Sequence, residues 1–167
     1  MSLSLKKNLL IIILCIGFIF INKTAYALFE VEVDAYSIDF GFMNISESKE
    51  LQDKGLYHNE VSCKSDNARA WYLKIQSMGP LKSGDDYIPY ENFSWKAIEA
   101  LNGDGVIYNK DVYNPFSDIP VLVYSSGPND PKGSDVKLRF KYNLSIPKNQ
   151  IAGNYRTIIR YTMTEMP

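Results

Sequence analysis

The chain has little of what most active sites are built from. It holds one histidine, His58, and two cysteines, Cys15 and Cys63. A zinc site usually draws on several such ligands, so no metal is expected, and no other cofactor is called for. His58 lies in the polar stretch "KGLYHNE" with no nucleophile motif such as G-x-S-x-G to pair with, and it reads as a solvated loop residue. No catalytic residue is assigned, and the chain is expected not to be an enzyme. Charge of one sign is lacking too: 18 basic against 19 acidic residues give a net charge of −1. Nucleic acids and anionic membranes attract clustered Lys and Arg, so neither is expected as a partner.

Long apolar runs are absent except at the start. Met1–Lys7 carries two lysines, Leu9–Ile21 is almost wholly apolar, and Ala25-Tyr26-Ala27 offers small residues at the positions signal peptidase reads. The run is short of the ~20 residues a spanning helix needs. Residues 1–27 are therefore expected to be a signal peptide and 28–167 one mature domain, secreted or extracytoplasmic, with no transmembrane segment after cleavage. Cleavage removes Lys6, Lys7 and Lys23 but no carboxylate, which makes the mature chain more acidic. It also leaves Cys63 as the single cysteine, so no internal disulfide can form. A lone thiol reads as a small buried hydrophobe, with a bridge between molecules as the alternative.

A 3.6-residue apolar period is almost missing beyond residue 27, and a two-residue period is nearly everywhere. The expected fold is all-β: an immunoglobulin-like sandwich of two antiparallel sheets with about eight or nine strands. Phe29-Glu30-Val31-Glu32-Val33-Asp34-Ala35 alternates apolar residues with carboxylates, as an edge strand does, and is expected to pack into its own domain. Ile38, Phe40 and Phe42 predict a second short strand after a slip at Tyr36-Ser37. From Val136 to Ile146 the alternation is strict, and Tyr155, Thr157, Ile159, Tyr161 and Met163 share a face in the last run. The short connection between these two runs predicts an antiparallel pair. The middle, residues 79–119, is weaker. Asn92–Ala97 reads as strand, Ser94–Leu101 also as one or two helical turns, and Asn102-Gly103-Asp104-Gly105 as a tight turn rather than part of a calcium loop.

In "AWYLKIQ", residues 70–76, Trp71, Leu73 and Ile75 share one strand face. That parity makes Trp71 structural and turns Tyr72 outward. Trp71, Leu73, Ile75, Phe140, Tyr142 and Tyr161 are the expected core. Aromatic side chains near the irregular middle give the candidate contact surface: Tyr72, Tyr87, Tyr90, Trp95, Tyr108 and Tyr113. Flat rings bury area at small entropic cost, which suits carbohydrate or protein partners. The competing reading makes them padding under long loops.

"IDFG" at 38–41, "WYL" at 71–73, "LSIPKNQIAGNY" at 144–155 and "IIRYTMTEMP" at 158–167 together resemble, in order and spacing, the WxL domain of bacterial surface proteins. The first W-x-L triplet is literal at Trp71-Tyr72-Leu73, while the second falls on Tyr161-Thr162-Met163, with both defining residues replaced. The second half is also similar to spore coat protein U and chaperone–usher pilin subunits. The resemblance implies a bacterial, non-enzymatic role at the cell surface or in the periplasm. The partner would be a cell-wall or surface glycan, or other surface proteins. Adhesion by envelope binding is one version; a carbohydrate-binding module or a pilin-like subunit assembled by strand exchange is the alternative. In isolation the domain is expected to be a monomer.

Overall fold

The computed structural model describes residues 27–52 and 54–167. The expected signal peptide, Cys15 included, lies outside the described residues apart from Ala27.

The described residues form an all-β sandwich. The larger sheet is built around β11 (Asp135–Ser145), whose strict alternation buries Val136, Leu138, Phe140, Tyr142 and Leu144 and turns Lys137, Arg139 and Lys141 outward. One edge of β11 pairs with β3 (Asn59–Ser65) over its first half and with β2 (Ser48–Leu51) over its second. Its other edge pairs with β7 (Phe93–Leu101), which carries the short β9 (Asn114–Pro115). β1 (Phe29–Val33) completes the sheet on the far side of β3, so Phe29–Val33 belongs to its own domain as its pattern predicts. The smaller sheet runs β12 (Ile159–Thr164), β4 (Tyr72–Ser77), β10 (Val121–Ser125), β8 (Val106–Ile107). A hairpin of β5 (Leu81–Ser83) and β6 (Asp86–Ile88) stands apart. Single 3-10 turns at Tyr90–Asn92 and Asp130–Lys132 are the helical elements among the described residues. The twelve strands exceed the expected eight or nine because the middle contributes pieces only two or three residues long.

The core lies between the sheets and is rich in aromatic rings. Trp71, Trp95, Tyr124, Tyr142, Phe116 and Phe140 are its largest fully buried side chains. Leu73 and Ile75 join them, so five of the six expected core positions are fully buried, and the sixth, Tyr161, is partly buried and packs against the cluster. Cys63 is buried on β3. Burial, with the nearby Asp135 carboxylate, pushes its thiol well above the usual range, and it sits in the native protein as a small hydrophobe.

Several expectations are corrected. β12 does not pair with β11; it crosses to the other layer and pairs with β4 from Ile159↔Ser77 to Thr164↔Tyr72. Both edges of β11 are already taken, and the last strand starts five residues later than its alternation suggests. The connection from Ile146 to Ile158 is therefore long enough to change layers. It is fastened on the way by a Lys82↔Arg156 bridge and by Thr157 Oγ1 donating to Gly79 O at 2.7 Å. Ile38–Phe42 forms no strand. Gly41 takes a φ of +66° and its N–H is held by Asp39 Oδ1, which turns the chain between Phe40, buried, and Phe42, fully exposed. His58 is not solvated: only 7% exposed, its ring packs edge-on to Tyr142 at 5.7 Å. Ser94–Leu101 is strand, not helix.

The 102–105 turn forms, for a reason other than glycine at positive φ. Asn102 takes the positive φ, +59°. Gly103 and Gly105 are required by space, since a Cβ on Gly103 would meet the Tyr124 hydroxyl and Val136, and one on Gly105 the Tyr124 ring and Ser125 O. Tyr124 Oη donates to Asp130 Oδ2 at 2.6 Å and accepts from Gly105 N–H at 2.8 Å, while Asp130 Oδ1 accepts from Asp104 N–H. A buried carboxylate thereby ties two loops to β10.

Candidate functional site

The sheets leave the sandwich open on the side where β1 and β12 are the edge strands. A groove of about 1290 Å³ opens there. Its floor is core: Phe40, Ile88, Phe93 and Leu144. One wall is the strandless segment 35–45 and the other is 150–159. Four large apolar side chains along these walls are exposed, Tyr36, Phe42 and Ile45 on one and Ile151 on the other, and Ile158, 70% exposed, lies at the rim with the outward parity of Arg160. Monomeric domains seldom gather so much exposed apolar surface unless it meets something.

Both flanking edges have unused backbone groups. Met78 N–H donates to Ile158 O, and the ladder continues from Ile159↔Ser77. In an antiparallel pair the bonded residues alternate, so Ile158 and Arg160 direct their N–H and C=O at β4 while Ile159 and Tyr161 direct theirs outward. Lys82 and Arg156 exchange two backbone bonds of 2.9 Å, so the same parity turns Tyr155 and Thr157 outward. On β1, Asp34 N–H donates to Glu60 O, which turns Val31 and Val33 outward by the same rule. No strand among the described residues pairs with either outer edge.

At one end the groove meets a polar ring. Tyr142 Oη donates to Asn59 Oδ1 at 2.6 Å, the phenols of Tyr142 and Tyr161 bond to each other, and Asn59 Nδ2 donates to Tyr161 Oη at 3.4 Å. Each group gives and receives one bond, so the ring is closed. It joins β3 and β11 of the larger sheet to β12 of the smaller. Burial pushes both phenols up, Tyr161 to about 12 and Tyr142 in the same direction with help from Tyr161 beside it. For Tyr161 the bonds to Tyr142 and Asn59 oppose that rise without cancelling it.

The expected contact aromatics are not gathered into one surface. Trp95, 1% exposed, packs in the core at 6.2 Å from Phe140 and is corrected from contact residue to core residue. Tyr113 is half-buried on the outer face of the larger sheet, donating to Glu50 and lying 4.3 Å under Lys96. Burial tends to raise the Glu50 carboxyl, but bonds from Tyr113 and Lys141 and the charges of Lys141 and Lys96 outweigh it and hold it below its usual range. Tyr87 is exposed on the β5–β6 hairpin, and half-buried Tyr90 follows that hairpin. Only Tyr72 and Tyr108 share a face: Tyr72 and Val106 both register with Ser125, and Tyr108 is two residues beyond Val106.

No family model, curated protein or solved structure matches this chain. Its chemistry has to be read from its own surfaces. The outer face of the larger sheet is internally neutralised: Arg139 meets Glu60 at 3.0 Å and Glu99 at 2.6 Å, and Lys141 meets Glu50 at 3.2 Å. Among the described residues no three His, Cys, Asp or Glu side chains gather so as to hold a metal ion. The groove is therefore the feature with unused bonding capacity. Sequence reasoning missed its wall residues Phe42, Ile45, Ile151 and Ile158, and it missed Asn59. The available signal was Ile45, Ile151 and Ile158, large apolar residues that fit no buried strand face; Phe42 reads as part of a strand with Ile38 and Phe40.

Proposed function

We propose that this chain is a secreted, non-catalytic β-sandwich of the bacterial cell surface or periplasm, acting as a binding or assembly module through the groove between β1 and β12. The observation that carries the reading is the coincidence of exposed apolar walls with two unpaired strand edges. The N-terminal export pattern supplies the compartment. The W-x-L resemblance supplies an envelope role, with one qualification from packing: Trp71 and Leu73 are fully buried, so that triplet serves the core and the contact surface lies elsewhere. That β1 pairs within its own sheet supports the reading of a monomer in isolation. The test is retention of residues 28–167 on isolated envelopes. Phe42→Glu and Ile151→Glu are expected to abolish retention with circular dichroism unchanged, and Tyr72→Glu on the outer face of the smaller sheet to spare it. Retention indifferent to both groove changes sinks the reading.

One observation favours a second reading. Tyr72, Val106 and Tyr108 form an aromatic and apolar strip on the smaller sheet, a surface of the kind a soluble glycan stacks on. A glycan array whose signal is lost in Tyr72→Ala, and kept in Phe42→Glu, would select it.

A further inference from the structure

We propose that the occupant of the groove is an extended partner segment that adds as a strand to the outer edge of Tyr155–Tyr161 and carries two carboxylates four residues apart, flanking apolar residues. The inference rests on the groove reading above and specifies its ligand.

The register dictates the pattern. Tyr155, Thr157, Ile159 and Tyr161 direct both their backbone groups out along this edge, and all four line the groove. A strand laid against them continues the smaller sheet and, because side chains alternate, puts every second residue into the groove. Apolar residues fit there. The residues between them lie on the outer face beside Arg156, Ile158 and Arg160, all exposed.

Charge then selects the occupant. Arg156 registers with Lys82, a cation opposite a cation, and Arg160 registers with Gln76. Neither arginine has a carboxylate partner among the described residues; Arg156 Nε donates only to Asn154 Oδ1 at 3.2 Å. Like charges opposed across strands are unfavourable, and an added strand bearing carboxylates relieves that. Arg156 and Arg160 are four residues apart, which sets the spacing. The β1 edge is the rival and differs in just this respect. Its Glu30 registers with Lys64, and its Asp34 is bound by Lys54 at 2.6 Å and by Glu60 N–H at 2.7 Å. β1 thus presents carboxylates, Glu32 opposite Ser62 with no ion pair among the described residues, which disfavour an acidic strand, whereas the Tyr155–Tyr161 edge presents arginines with no carboxylate partner.

The test uses two labelled peptides, Val-Glu-Val-Thr-Val-Glu-Val and Val-Lys-Val-Thr-Val-Lys-Val, with residues 28–167 at low salt. The glutamate peptide is expected to bind, the lysine peptide roughly fivefold or more weaker, and the order to invert in Arg156→Glu/Arg160→Glu. Amide exchange should slow at Thr157, Ile159 and Tyr161. Slowing at Val31 and Val33 instead, equal affinity for both peptides, or binding of neither overturns this inference. If envelope retention still depends on Phe42 and Ile151 in that event, the groove reading stands and only the strand ligand is wrong.

Discussion

Removing the Tyr161 hydroxyl opens the ring that holds the two sheets together at the groove. In Tyr161→Phe, Asn59 Nδ2 loses its acceptor and Tyr142 Oη keeps only the bond to Asn59 Oδ1. Asn59 is 1% exposed, so water does not replace the lost partner. A buried polar group left short of a bond costs about 1–3 kcal/mol, and the 3.4 Å length of the Asn59–Tyr161 bond puts this variant toward the low end. Tyr142→Phe removes the shorter 2.6 Å bond and belongs at the upper end. The two changes act on one ring, so their effects should depart from additivity by at least ~0.5 kcal/mol. The pH dependence provides a second reading of the same contact. An unfolded tyrosine ionises near pH 10, whereas burial holds folded Tyr161 up to about 12. Below pH 10 both states are protonated and this part of the stability is intact. Between about 10 and 12 the unfolded chain releases the proton that the folded one keeps, and stability falls by ~1.4 kcal/mol per pH unit, about 3 kcal/mol by the upper end. Urea unfolding of residues 28–167 at pH 7 and at pH 11 measures both effects. The Tyr161→Phe variant should be weaker at pH 7 and lose less on going to pH 11. A variant within ~0.3 kcal/mol of the parent at pH 7, or one with an unchanged alkaline slope, refutes the ring as a structural tie.

Trp71 makes a separate case, since its side chain is fully buried and its indole N–H has no hydrogen-bond partner among the described residues. Trp71→Ala should cost about 3–5 kcal/mol in urea unfolding. Trp71→Phe also removes the unsatisfied donor and should cost less than half of that; equal losses would show that the N–H is answered after all. Gly105→Ala, which brings a methyl against Ser125 O and the Tyr124 ring, should destabilise by ~2 kcal/mol or more. Gly84→Ala faces open space but sits at a φ of +62°, so it should cost only the ~1 kcal/mol of its backbone, and thermal unfolding of the pair separates crowding from conformation.

The all-β class, the span of the longest strand and five of the six core positions follow from the sequence alone. Side-chain direction along a strand is a local property: once Leu73 and Ile75 are inside, Trp71 must be, and the same parity fixes Phe140 and Tyr142. Parity says which face a residue takes but not which strand lies beside it. That limit explains the misplacement of β12, whose pattern fits a neighbour of β11 as well as it fits a neighbour of β4. It also explains Trp95, read as strand in sequence but assigned to a contact surface, whose place in β7 between β11 and β9 settles its burial. His58 is buried because the strands around it close over a polar stretch, an outcome absent from the stretch itself. The groove was the least legible feature. It exists because β1 and β12, far apart in sequence, end the two sheets on the same side, and because Gly41 breaks a run that would otherwise have read as one more strand. Hydrophobic alternation is written residue by residue, whereas an open sheet edge is defined by the absence of a neighbouring strand, and only the assembled tertiary structure decides that.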